Sequence, residues 1–147
     1  MPQVPVVSIN ISQVTWNEAA ESLSFIRETV FIQEQDVPEE LEWDGLDEEA
    51  IHLLVMDINM APIGTARLLK DGHIGRMAVL KDWRKRGVGS ALLKKLIEIA
   101  RQHKLSQLEL DAQTHAIPFY EAYGFVVCSD VFDDAGIPHK KMKRFLK

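Results

Sequence analysis

The chain has a single cysteine, Cys128, which excludes an internal disulfide and any multi-cysteine metal site. A reducing compartment is expected, with the lone thiol buried and inert and no bound metal. The chain also lacks any run near the roughly 20 apolar residues that crossing a bilayer requires. Its N-terminus has no charged-then-apolar signal pattern. A cytoplasmic location without a membrane partner is expected. Cations are in short supply, 17 Lys and Arg against 22 Asp and Glu for a formal charge of −5. Duplex binding draws its affinity from cations that neutralise phosphates, so no nucleic-acid partner is expected. What is present is 46% hydrophobic and 27% charged, the balance of a globular chain. The 147 residues suit one domain spanning 1–147.

Charge is unevenly placed. Nine carboxylates fall between Glu34 and Glu49, while Lys81 to Arg86 and Lys140 to Lys147 are basic; such runs are expected to be solvated faces. Val4 to Ile11 reads as a first strand. Thr15 with Glu18 forms a capping box that opens a helix over about 15 to 33, with Trp16, Ala20, Leu23, Arg27 and Val30 at helical spacing. The segment from Pro38 to Glu49 reads as a loop with at most a helical turn, long enough to suspect of function. Strands are expected at Ile51 to Ile58, Pro62 to Lys70 and, after the Asp71-Gly72 hairpin signal, His73 to Leu80. From Gly89 to about His103 the period turns helical through Leu92, Leu96, Ile99 and Ala100. A strand at Leu108 to Ala112, a helix at Ala116 to Tyr123, a strand at Phe125 to Phe132, a turn at Asp134 to Gly136 and a strand at Lys140 to Phe145 complete the chain. The order is β-α-β-β-β-α-β-α-β-β, an α/β chain with one mixed sheet and helices on its faces.

The strand, Gly-rich loop and helix from His73 to Arg101 carry the chemistry. In Arg84-x-x-Gly87-x-Gly89-Ser90 the glycines let backbone turn sharply and approach a ligand. The first-turn amides of the following helix lack internal partners and sit at the positive end of its dipole, which suits an anion. Arg84, Lys85 and Arg86 add charge at the rim. The spacing fits neither a P-loop nor the dinucleotide fingerprint.

With Met77-Ala78-Val79 ahead of it, the loop resembles the signature of the GNAT acyltransferase family. The likeness extends over nearly the whole chain, including Phe119-Tyr120-Glu121-Ala122-Tyr123-Gly124-Phe125. Arg27 to Phe31, Glu34-Gln35, Ala112-Gln113 and Gly136 to His139 are similar to its ElaA/YjcF-like branch. The resemblance implies a single GNAT fold with splayed central strands, and acetyl-CoA as acyl donor. The pantetheine arm would lie along Met77, Ala78 and Val79, and main-chain amides over Arg84, Lys85, Arg86, Gly87, Val88, Gly89 and Ser90 would hold the pyrophosphate. Tyr120 matches the tyrosine that protonates the leaving thiolate. Gln113 stands where members of the family have an asparagine, so its cofactor contact is carried over with a longer side chain.

Acetyl transfer needs a neutral amine, a stabilised oxyanion and a proton for the thiolate. Strand alternation would put His73, Gly75 and Met77 on one face, and by register His73 matches the base of histone-modifying members. Glu34, Glu42, Asp44 and His52 are alternatives. Arg67 and Arg76, cations inside strands, need partners, which the acidic loop could supply. His115 and His139 read as capping or strand-start histidines near the acceptor side. The acceptor is a small-molecule or peptide amine, and the acidic loop suggests a cationic one. Arg27-x-x-Val30-Phe31 and Trp43 to Asp47 are also loosely similar to acyl-homoserine-lactone synthases. A non-catalytic acyl-CoA-binding or interaction domain is the third reading, and the sequence is compatible with a homodimer.

Overall fold

The computed structural model describes residues 8–146. The elements are β1 (Ile9–Val14), α1 (Trp16–Arg27), a π-helix (Glu28–Glu34), α2 (Glu39–Glu42), β2 (Ile51–Asp57), β3 (Pro62–Leu68) and β4 (His73–Val79). A 3-10 turn (Lys81–Trp83), α3 (Val88–Gln102), β5 (Gln107–Gln113), a second 3-10 turn (Thr114–Ala116), α4 (Ile117–Glu121), β6 (Val126–Val127), β7 (Phe132–Asp134) and β8 (Ile137–Phe145) follow. The eight strands make one mixed sheet, ordered β1-β2-β3-β4-β5-β8-β6, with β7 also on β8. Among the described residues no helix is long and apolar enough to cross a membrane.

Several boundaries move from the sequence-based expectation. The first strand begins at Ile9 and runs on to Val14; residues 4–7 of the expected strand lie outside the described residues. Thr15 does cap α1, its hydroxyl accepting from the Glu18 amide while the Glu18 carboxylate accepts from the Thr15 amide. The helix then widens to π geometry at Glu28 instead of continuing as α to 33. The expected strand from Phe125 to Phe132 is two short strands, giving one strand more than expected. Between them Ser129 Oγ accepts the Lys141 amide at 2.8 Å, so a side chain replaces a rung of the ladder. The helix after β5 is shorter than expected, because its first turn is 3-10 and Pro118 sits at its start. β8 begins at Ile137, directly after a turn in which Ala135 and Gly136 have φ 53 and 81. Cys128 is exposed and not buried, standing just past the end of β6.

The sheet packs on both faces. Leu53, Val55, Ala66, Leu68 and Ile74 pack with Leu92, Leu93 and Leu96 of α3, while Leu54 and Ala78 pack with Leu23, Ile26 and Val30 on the other side. Ile74 and Ala78 would share a face in a regular strand, and here they do not. The cause is a bulge: Thr65 pairs with Ala78 but Arg67 with Gly75, so three steps of β4 oppose two of β3. Arg76, at φ 49, carries the extra residue. Met77 therefore joins the α3 face, and the expected sharing of one face by His73, Gly75 and Met77 fails.

The central feature is the fork between β4 and β5. These neighbours run parallel and pair only at His73↔Glu109 and Ile74↔Leu110. The approach is tight at the root, where a Cβ on Gly72, at φ 96, would meet the Gln107 carbonyl at 2.6 Å. Beyond Ile74 the strands part, while β5 stays paired to β8 from Gln107↔Phe145 to Gln113↔His139.

Candidate active site

The parted strands open into a cleft of about 480 Å³. Of the expected site residues, His73, Met77, Ala78, Val79, Arg84, Gln113 and Tyr120 line it; Lys85, Arg86, Gly87, Val88, Gly89 and Ser90 lie beyond its lining, at the head of α3.

That head has the conformation the glycines suggested. Lys85 and Gly87 have φ 63 and 84, an alternation that turns successive amides the same way. Gly87 caps α3 without a side-chain bond, and the first helical bond runs from Ala91 N to Gly87 O. The amides of Val88, Gly89 and Ser90 thus precede the intrahelical ladder. The Arg84 side chain is engaged elsewhere: its Nε donates to Val79 O at 2.9 Å and its fork to Glu34, with Nη2 to Oε1 at 2.7 Å. That hydrogen bonding holds the Glu34 carboxyl below its usual range. Arg86 lies over the Trp83 ring, 5.0 Å from its centroid.

Across the fork, Tyr120 lies edge-on between Phe119 and Phe125, with centroids 5.0 and 6.0 Å away. Among the described residues its hydroxyl meets only the Met77 sulfur, at 3.8 Å, a weak acceptor. Burial pushes the phenol up to about 12, so it remains a proton donor at neutral pH. Gln113 donates from Nε2 to Gln35 Oε1 at 3.0 Å, tying the end of β5 to the end of the π-helix. No periodicity in the sequence pointed to Gln35 as its partner, because the two are brought together by the fold alone.

Most carboxylates of the acidic run are exposed, as a solvated face should be, but Glu42 and Asp47 are buried. Arg27 is 1% exposed, and its Nε donates to Glu42 at 2.8 Å, its Nη1 to Asp47 at 2.7 Å and its Nη2 to the Glu42 carbonyl at 3.1 Å. Arg67 reaches Asp44 at 2.7 Å and Asp47 at 3.0 Å, and Arg76 reaches Glu42 at 3.0 Å and Asp44 at 3.2 Å. The Arg67 and Arg76 pairings follow the sequence expectation. Three guanidiniums thus balance three carboxylates, and the cluster offers no net negative charge to a cationic acceptor. Burial opposes ionisation of Asp44, but hydrogen bonds from Arg67 and the Leu46 amide and the charges of Arg67 and Arg76 outweigh it, holding the carboxyl at about 2. A carboxylate depressed on folding stabilises above its unfolded value and loses that contribution as pH falls through its folded one. Urea unfolding of Asp44→Asn should therefore fall less steeply than wild type between pH 4 and pH 2; parallel curves would contradict the assignment.

The candidate bases are mostly engaged. His73 Nε2 pairs with Glu109, and Nδ1 lies 3.0 Å from Asp71 Oδ1 without hydrogen-bond alignment. With Nε2 held by Glu109 and Nδ1 buried beside Asp71, neither nitrogen is open to an incoming amine, which removes the geometric basis for the base expected there. His52 is buried, donates to the Asp47 carbonyl at 2.8 Å, and is pushed down by desolvation. Glu34, Glu42 and Asp44 are held by arginines. His115 and His139 line the cleft, and His139 is the histidine that the strand-start reading passed over. Its signal was the turn at Asp134 to Gly136, which folds β7 and β8 into the cleft wall.

The acetyltransferase (GNAT) domain family matches residues 14–146. The chain is 43% identical over 124 residues to the uncharacterised N-acetyltransferase YjcF of Bacillus subtilis, covering 82% of this chain and 88% of that protein. It is 29% identical to Escherichia coli ElaA, whose crystal structure superposes with a TM-score of 0.85 over 93% of this chain and 99% of that one. An acyl-CoA N-acyltransferase from Pseudomonas aeruginosa, also 29% identical, superposes at 0.80 over 94% and 99%.

Proposed function

Because the chain belongs to the GNAT acetyltransferase family, we propose that it moves an acetyl group from acetyl-CoA to a primary amine, by direct attack in a ternary complex. The observation that carries this reading is the fork between β4 and β5, with the turned loop at its outer end and Tyr120 facing Met77 within it. The edge of β4 at Met77, Ala78 and Val79 that β5 leaves uncovered suits an extended pantetheine arm laid between the strands. Amides from Arg84 to Ser90 suit the pyrophosphate, with the Arg84 side chain shaping the loop by tying it to Glu34. Gln113 borders the arm through its bond to Gln35.

The amine attacks the thioester carbonyl, the attacking nitrogen gives its surplus proton to water, and the tetrahedral intermediate collapses as the carbon–sulfur bond breaks. Tyr120 gives its phenolic proton to the departing sulfur and is reprotonated from solvent. His73 and Glu109 hold the root of the fork. The residues behind the lactone-synthase likeness, Arg27, Asp44 and Asp47, are consumed in the buried ion cluster, which favours the acetyl-CoA reading. The three carboxylates of that cluster are balanced by arginines, so they supply no net charge to select a cationic acceptor.

Tyr120→Phe is expected to lower kcat roughly 10–100-fold while acetyl-CoA affinity changes little, since a positioned proton donor acts on the chemical step. Thiol release from acetyl-CoA over a panel of amines, followed beside calorimetric titration, reads both. Wild-type binding without turnover on any amine or peptide would favour a non-catalytic acyl-CoA-binding domain.

A further inference from the structure

An acceptor amine reaches the cleft at neutral pH mostly as ammonium and must lose a proton before it can attack. His139 differs from the engaged groups around the cleft. It is 8% exposed, lines the cleft, and stands opposite Gln113 in the β5–β8 ladder. Its ring stacks on Phe132, centroids 5.9 Å apart at 23°. Nδ1 lies 2.7 Å from the Ile137 carbonyl. A carbonyl only accepts, so Nδ1 carries the proton and Nε2 the lone pair. Among the described residues Nε2 has no hydrogen-bond partner, and it is not sealed from solvent. The ring is therefore fixed in orientation and tautomer, with its basic nitrogen unengaged.

We propose that His139 is the general base, its Nε2 taking a proton from the acceptor's ammonium group. The assignment rests on the acyl-transfer reading and adds the residue that reading lacks. One N–H bond of the ammonium breaks and an Nε2–H bond forms, leaving a neutral amine to attack the thioester. The imidazolium returns its proton to solvent, and the Ile137 carbonyl, already on Nδ1–H, strengthens its bond to the transient cation. The titratable groups that line the cleft with it are Asp111 on β5, Asp134 on β7, His115 on the second 3-10 turn, Tyr120 on α4, His73 and Arg76 on β4, Arg67 on β3, Glu42 on α2, and Arg84; Lys141 follows two residues along β8. Lys141 lies 3.7 Å from Asp111, Arg84 is paired with Glu34, and Arg67, Arg76 and Glu42 belong to the ion cluster, so none of these presents an uncompensated charge to the ring.

The test is the pH dependence of kcat/KM for wild type, His139→Gln and His73→Gln, with an amine that wild type acetylates. His139→Gln should fall about 100-fold at neutral pH and recover as pH approaches the amine's own value, because a free amine needs no base. His73→Gln should keep the wild-type acid limb. Added imidazole should restore activity to His139→Gly. An unchanged profile in His139→Gln, or an equal loss at every pH without imidazole rescue, overturns the assignment while leaving acyl transfer standing. No thiol release from wild type on any amine overturns acyl transfer and the base with it. Long-range proton–nitrogen NMR of the full chain reads the ring without any donor. The Nδ1–H tautomer is expected at His139, and an Nε2–H tautomer would overturn the proposal.

Discussion

Replacing Arg27 by alanine is expected to cost about 3–5 kcal/mol of stability, the range for removing one partner of a buried ion pair. For a chain of this size that is a fall in Tm on the order of 10 °C. Glu42 and Asp47, 3% and 7% exposed, would each lose their shortest arginine contact, and the Glu42 carbonyl would lose a donor. Trp16 and Trp43, whose ring centroids lie 5.5 and 5.0 Å from the guanidinium carbon, would lose their shared cation. The loss comes chiefly from stranding carboxylates, so Arg27→Met combined with Glu42→Gln should recover part of it. Urea and thermal unfolding check both. A fall below about 1 kcal/mol, the worth of an exposed pair, would mean that the cluster is solvated after all.

Gly89→Val should weaken acetyl-CoA binding on the order of 100-fold, about 2.7 kcal/mol, while leaving the melting temperature nearly unchanged. Gly89 is not at positive φ, and an added Cβ would meet the Phe119 ring, its nearest atom Cζ at an ordinary 3.7 Å. Valine is a better helix former than glycine, so the fold has little reason to suffer. The ligand does, because a branched side chain in the first turn keeps a phosphate from the amides at the helix end. Calorimetric titration beside a melt separates the two effects. Equal affinity in both proteins would remove the loop from the binding site.

The local signals in the sequence carried well. The Thr15–Glu18 box, the Asp71-Gly72 turn, the helical period after Gly89 and the glycine-rich loop are all decided within a few residues of chain, and the structure has each of them. What the sequence hid depends on distant partners. Alternation along β4 fails because one extra residue opposes β3 at Arg76, and strand period alone cannot reveal a bulge. Most of the acidic run is exposed as read, but Glu42 and Asp47 are buried, and the helical spacing of Arg27 gave no sign that it is their partner. Separation along the chain likewise concealed the Gln35–Gln113 bond and the Glu109 carboxylate that pairs with His73. Lone histidines carry no pattern, so the difference between the engaged His73 and the open His139 exists only in three dimensions.

The central claim is that acyl-CoA lies in the fork between β4 and β5. A crystal structure of the chain grown with CoA tests it most directly. Density is expected for pantetheine between Met77–Val79 and the end of β5, for pyrophosphate at the amides before and within the first turn of α3, and for the sulfur beside Tyr120. CoA bound elsewhere on the surface, or absent from a fork that crystal packing leaves open, would contradict the account.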